Sequence, residues 1–222
     1  MGTLYLVRHG QASFGAANYD QLSALGERQC RALGEWFAAR GVGFGATFHG
    51  TLARHAQSFE ALAAGHGALP AAQVESGLDE YDAHALVHAV HPAPLPPHDT
   101  PEGFRTHFRA LREGLARWMA GELTPAGMKP YAQWMADLQA VLEQVRPRHE
   151  GAVLAVSSGG PICNAVARLL GAPPAAAVEL NMQIRNSSVT EFHFTPQRHA
   201  LVVFNHVPHL DHPDRQDWIT RT

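Results

Sequence analysis

Arg8, His9 and Gly10 stand in a row directly after the apolar run Leu4-Tyr5-Leu6-Val7. A short apolar run stopped by glycine is the pattern of a buried strand. Such a strand would deliver a guanidinium, an imidazole and a flexible peptide to one strand end, and in open α/β sheets that end is where ligands bind. Arginine's planar fork donates two hydrogen bonds at once to a phosphate. A neutral, aimed histidine can attack phosphorus and carry the phosphoryl group. The chemistry these three residues suggest is phosphoryl transfer, with His9 as nucleophile and Arg8 on the phosphate oxygens.

The elements that must position them follow from periodicity. Residues 22–40 read as a helix, with Leu22, Leu25, Gln29, Leu33, Trp36 and Phe37 at helical spacing and Gly41-Val42-Gly43 at its end. Ala46–His49 reads as a short second strand, Leu52–Ala64 as a helix closed by Gly65, and Gln73–Glu75 as a third strand. The proline cluster at 92–97 excludes regular helix there. Two apolar faces follow, one of Phe104, Phe108, Leu111, Leu115 and Trp118, the other of Trp134, Met135, Leu138, Val141, Leu142 and Val145. Residues 83–130 read as a helical cap inserted over the sheet edge. Ala152–Val156 is a buried strand, and Ile162, Ala165, Val166, Leu169 and Leu170 form the stripe of the next helix. Ser188–Phe194 and Ala200–Asn205 read as a hairpin turned by Thr195-Pro196-Gln197-Arg198. Strands alternating with helices predict an α/β three-layer sandwich, a mostly parallel central sheet flanked by helices. The whole chain, 1–222, reads as a single domain.

Composition narrows the partners. The chain is 45% hydrophobic and 17% charged, with a net charge of −3 and no basic run, which argues against nucleic acid. Fifteen histidines make its charge sensitive to pH near neutrality. The two cysteines, Cys30 and Cys163, lie on apolar helical faces and read as buried thiols; they form neither a disulfide framework nor a zinc pattern. Arg8 and His9 break the first apolar stretch before a signal peptide can form. Met1-Gly2 lacks the Ser or Thr that myristoylation needs, position 6 being Leu. No apolar run is long enough to span a membrane. The expectation is a cytoplasmic protein without membrane or nucleic-acid partners, its oligomeric state open, a homodimer included.

Leu22-Ser23-Ala24-Leu25-Gly26-Glu27-Arg28-Gln29 follows the first strand. Strand, Arg-His-Gly and a Leu-Ser/Thr-x-x-Gly-x-x-Gln helix start, in that order, resemble the histidine phosphatase superfamily, the phosphoglycerate-mutase-like proteins, from residue 3 to about residue 207. The resemblance implies a phosphohistidine intermediate at His9, Arg8 and Arg54 on the phosphate, and a carboxylic acid for the leaving oxygen, with no metal or organic cofactor. Arg54 lies in Thr51-Leu52-Ala53-Arg54-His55-Ala56-Gln57-Ser58, similar to the family's Ser-x-Leu-x-Arg-Ala-x-Gln-Thr. Thr51 would replace a helix-capping Ser, and His55 stands where a small residue is usual. Glu80, in Leu78-Asp79-Glu80-Tyr81-Asp82, is the implied acid, with Asp79 and Asp82 as competitors. A carboxyl beside bound phosphate should hold its proton more tightly.

Two features depart from the family. Its closing signature is an apolar strand and Ser-His-Gly-Gly, whereas this chain reads Ser157-Ser158-Gly159-Gly160-Pro161. Ser158 replaces a pocket histidine, supplying one hydrogen bond and no charge. Gly159 and Gly160, with Pro161 read at the first helical position, still present a helix start to an anion. His55 or His206 could supply the missing imidazole. Gly15 stands where many relatives have Asn, for which Asn18 could substitute only in a rearranged loop. Arg185-Asn186-Ser187-Ser188 reads as structural, and the His206, His209, His212 repeat does not read as a metal site. His84, His88, Arg105 and Arg109 lie in the cap and could face the pocket or solvent. The leading expectation is hydrolysis of a small phosphomonoester. A phosphoglycerate mutase and a catalytically weak phospholigand-binding protein are the alternatives.

Overall fold

The computed structural model describes residues 1–13, 20–97, 100–148 and 151–221, so Gly15 and Asn18 lie outside the described residues. Six strands form one sheet in the order β3-β2-β4-β1-β5-β6. They are β1 (Gly2–Arg8), β2 (Phe44–His49), β3 (Gln73–Val74), β4 (Gly151–Ser157), β5 (Val189–Phe194) and β6 (His199–His206). β3, β2, β4 and β1 run parallel; β5 is antiparallel to β1, and β6 is antiparallel to β5. The mostly parallel α/β sheet is therefore as expected from the alternation of elements.

Seven helices accompany it among the described residues: α1 (Ala24–Ala39), α2 (Ala53–His66), α3 (Ala83–Val90), α4 (Pro101–Met119), α5 (Tyr131–Arg148), α6 (Gly159–Leu169) and α7 (Pro174–Asn181). Side chains alternate along the central strands, and each face has its own core. Leu4 and Leu6 join Val153, Ala155, Ile162, Trp118 and Leu138 on the face of α4, α5 and α6. Val7 joins Leu154, Cys30, Leu33, Phe37 and Leu62 on the face of α1 and α2. Both cysteines are buried and free, as their helical positions implied.

Some boundaries differ from the periodicity, each for a packing reason. Gly65 does not end α2; the helix continues to His66 and is closed by Gly67 at φ 82°. Gly65 and Gly34 instead let α1 and α2 touch, since a Cβ at Gly65 would strike the Arg31 carbonyl and one at Gly34 the Leu62 carbonyl. The α6 stripe stops at Val166, because Leu169 and Leu170 lie at the helix end and are exposed. Phe104 is exposed too, while Leu115 and Trp118 of the same helix are buried. Within the segment read as a cap, α3 and α4 pack on each other around Leu86 and Gly114, whose Cβ would meet the Leu86 carbonyl.

The topology makes one crevice. β1 and β4 are parallel neighbours in register, with Arg8 opposite Ser157. α1 packs on one face and α6 on the other. The two chains thus part at the carboxyl ends of these strands, the position where open α/β sheets take their ligands. His9 and Ser158 are the next residue on each.

Candidate active site

His9 is held by its backbone before its side chain is considered. Its N–H donates to the Ser157 carbonyl at 2.9 Å, and its carbonyl accepts from the Ser187 N–H at 3.1 Å. The Gly10 N–H donates to Ser58 Oγ at 3.1 Å. Gly10 is required here, because a Cβ would run into the Gly26 backbone. The imidazole Nδ1 lies 2.7 Å from the Gly10 carbonyl. A carbonyl can only accept, so Nδ1 carries the proton and Nε2 keeps its lone pair. Burial, then the positive Arg8 and Arg54 and the neighbouring His55 ring, push the His9 pKa well below the ordinary histidine value, the Gly10 carbonyl only partly opposing this. The ring is therefore neutral at neutral pH, as a nucleophile must be.

Two guanidiniums flank it. Arg8, buried at the end of β1, donates through one terminal nitrogen to the Ile184 carbonyl at 2.6 Å and the Arg221 carbonyl at 2.9 Å. Arg54 lies in the first turn of α2 and pairs with Asp20 Oδ1 at 2.8 Å. Asp20 also receives the Ala53 N–H at 2.8 Å, so one carboxylate both caps the helix and steadies the arginine. The expected cap, Thr51, is not used: Leu52 occupies the cap position. The Thr51 hydroxyl instead donates to Asp79 Oδ2 at 2.5 Å.

The three acids of 79–82 separate by environment. Glu80 Oε2 accepts from the Gly160 N–H at 3.0 Å. Burial raises its pKa, and the Gly160 and Tyr81 amides, Arg54 and Arg8 only partly oppose this. Gly160 must be glycine, because a Cβ there would overlap the Glu80 carboxylate. Asp82 is exposed and caps α3 through the Ala85 N–H at 2.9 Å. For Asp79, burial pulls upward, but the His55 ring and the Thr51 hydroxyl and amide outweigh it and hold the carboxyl below its usual range.

Opposite His9, Ser158 is fully buried at the start of α6, its hydroxyl 2.7 Å from His55 Nε2. His55 Nδ1 lies 3.6 Å from Asp79 Oδ1, and the His55 and His9 ring centres are 5.8 Å apart. Gly159 packs against Asn181, whose side-chain oxygen fills the space of a Cβ. The structure thus brings His9, Arg8, Arg54, Glu80, Ser158 and Gly159 together, with His55 among them. His206 is not among them; it is exposed at the end of edge strand β6. His209 is buried on Ser187 Oγ at 2.8 Å and His212 is exposed. His84, His88, Arg105 and Arg109 are exposed.

Sequence reasoning missed the shell that fixes this group. Asn186 donates weakly to the His9 carbonyl at 3.5 Å and accepts from the Thr220 hydroxyl at 2.8 Å. Gln29 donates to the Trp218 carbonyl at 2.6 Å and accepts from the Gln11 N–H at 2.8 Å. The carboxy-terminal segment is thereby laid against Arg8. Polar residues such as Gln29 on the inner stripe of a helix were the available signal.

An imidazole with one nitrogen lone pair, two guanidiniums and a buried carboxyl whose pKa is raised gather by the ends of parallel strands in an α/β fold, a set of groups suited to phosphoryl transfer. The chain belongs to the histidine phosphatase superfamily, branch 1, whose family model matches residues 4–207. No curated protein matches the sequence. Among solved structures, the chain is similar to a phosphoserine phosphatase from Entamoeba histolytica (19% identity, TM-score 0.65, covering 95% of this chain and 100% of that one). It is also similar to a mycobacterial glucosyl-3-phosphoglycerate phosphatase (23%, 0.63, 92% and 99%). A third is a putative alpha-ribazole-5′-P phosphatase from Escherichia coli (18%, 0.64, 93% and 97%).

Proposed function

We propose that this protein hydrolyses a small phosphomonoester through a phosphohistidine at His9. The observation that carries the reading is a neutral His9, its Nε2 lone pair available, set among Arg8, Arg54 and the Glu80 carboxyl. The family, and relatives named as phosphatases, support it.

In the first step His9 Nε2 attacks phosphorus and the P–O ester bond breaks. Glu80 gives its proton to the departing oxygen, so an alcohol leaves and Glu80 becomes a carboxylate. Arg8 and Arg54 hold the phosphoryl oxygens as charge spreads over them. Ser158 and the Gly159 amide bind on the opposite side, at the start of α6. In the second step Glu80 takes a proton from water and the resulting hydroxyl attacks phosphorus. The N–P bond breaks and inorganic phosphate forms. Each group returns to its starting state, with no redox partner.

The segment 83–130 acts as a cap over the substrate. Both thiols being free fits a reducing, cytoplasmic setting; no helix among the described residues is long and apolar enough to cross a membrane. The test is p-nitrophenyl phosphate hydrolysis in EDTA, wild type against His9→Ala. Turnover by the wild type and none above background in the variant is expected; equal rates would refute the reading.

A further inference from the structure

Two oddities of the sequence, a histidine at 55 where a small residue is usual and a serine at 158 where a histidine is usual, are in contact. His55 Nε2 lies 2.7 Å from Ser158 Oγ, and both residues are fully buried. His55 Nδ1 faces Asp79 Oδ1 at 3.6 Å, too long for a hydrogen bond but within ion-pair reach once the ring is charged, and Asp79 is fixed by the Thr51 N–H at 2.6 Å and the Thr51 hydroxyl. The three residues form a line from a carboxylate, through an imidazole, to a hydroxyl beside His9. Gly50 leaves the space this needs, because a Cβ there would collide with both the His55 ring and the Asp79 carboxylate.

We propose that Asp79, His55 and Ser158 act as one relay that replaces the missing pocket histidine, Ser158 touching the phosphate and His55 positioning Ser158 and charging when phosphate binds. This rests on the pocket being a phosphate site, as proposed above. Proton counting gives the relay its logic. In the neutral ring with Nδ1–H toward Asp79, Nε2 can only accept, so the Ser158 hydroxyl donates to His55 and turns its proton away from the pocket. In the imidazolium both nitrogens donate. Ser158 Oγ then accepts from Nε2–H, and its own proton is free for a phosphoryl oxygen. An arriving anion favours that second state, since it adds negative charge beside the ring.

The charged groups around His55 set the balance. On its own helix Arg54 opposes its protonation, while Asp20, paired to Arg54, favours it; from the 79–80 loop Asp79 favours it. Arg8 ends β1 and His9, the next residue, is neutral; the buried Glu80 carboxyl has its pKa raised by burial. Without ligand, burial keeps His55 neutral, and Asp79 only partly offsets that. Anion binding should therefore draw one proton to His55.

The experiment is calorimetric titration of vanadate into the full chain at one pH, in buffers of different ionisation heat, for wild type, His55→Gln, Ser158→Ala and the double variant. Gln can still donate to Ser158 Oγ but cannot become charged. The wild type is expected to take up close to one proton more per vanadate than His55→Gln. Each single variant should bind vanadate roughly 10- to 100-fold more weakly, the worth of a hydrogen bond to a charged group. The double variant should be no weaker than the worse single one, because the two residues act as a unit. Equal proton uptake in wild type and His55→Gln overturns the relay, and so do fully additive losses. Should a variant melt at a much lower temperature, the ¹⁵N shifts of the His55 ring in the wild type, with and without vanadate, decide. A ring that stays neutral in the complex refutes the proposal. If these results hold but wild type and His9→Ala hydrolyse p-nitrophenyl phosphate equally, the hydrolase reading fails and the relay stands.

Discussion

His209 offers the clearest quantitative test, because one buried ring ties the carboxy-terminal segment to His9. Its Nε2 contacts Ser187 Oγ at 2.8 Å, and the Ser187 N–H donates to the His9 carbonyl. Burial, then Arg215 and His206, lowers its pKa to about 3. The unfolded chain would titrate this histidine near ~6.5. Below that pH the unfolded state binds a proton that the folded state refuses, so stability falls as pH falls, from ~6.5 down to about 3. At pH 5, about 1.5 units into the window, the cost is roughly 2 kcal/mol at ~1.36 kcal/mol per unit, and at pH 7 it is close to zero. His209→Gln keeps a side chain that can reach Ser187 and removes the titration. Urea unfolding of both proteins at pH 7 and pH 5 reads the effect. The wild type should lose roughly 2 kcal/mol more than the variant on acidification, whatever His9 and His55 contribute in common. An identical loss in both proteins would show that His209 is already accessible to protons in the folded state.

Three further outcomes follow from the site and its supports. Glu80→Gln should lower turnover about 10²-fold or more on an alkyl phosphate and far less on p-nitrophenyl phosphate, whose leaving oxygen needs no proton; kcat on the two substrates compares them. Ser158→His alone should reduce activity, because the Ser158 hydroxyl already touches the His55 ring, while adding His55→Ala should recover part of it, as steady-state rates of the wild type and the two variants would show. Gly34→Ala should destabilise the fold by about 1–3 kcal/mol, the usual cost of overpacking, since its Cβ would meet the Leu62 carbonyl across the α1–α2 contact; the urea midpoint measures this.

The parts of the site that were legible in sequence are those set by short runs. Leu4–Val7 alternates between two cores, so the strand and the placement of Arg8 and His9 at its end could be read locally. The same holds for Ala152–Val156 and the glycines after it. Glu80 could be singled out from Asp79 and Asp82 only by resemblance; their separation is made by burial and by the Gly160 amide, 80 residues away. Gly65 misled for a related reason. A glycine near a helix end usually signals termination, but here it records the approach of another helix, which no local pattern contains.

His55 and Ser158 show what such reading loses. Taken singly, each looks like damage to a known pattern: a bulky ring in a tight place, and a lost cation. The fold brings the start of α2 to the start of α6 because β2 and β4 are parallel neighbours, with His49 opposite Val156. Gly50 follows on one strand and Ser157 on the other, so residues 55 and 158 share one wall of the crevice. An imidazole can reach that wall from either helix. What the proposed chemistry requires is a polarised donor opposite His9, and that does not dictate the strand it must follow. A serine alone would leave the phosphoryl charge unmet on that side, and a histidine at 55 alone would bury an imidazole without a partner for Nε2, at a cost of about 1–3 kcal/mol. On the proposed relay each substitution is costly by itself and the second offsets the first, so the two departures belong to a single change in how the pocket would hold a phosphoryl anion.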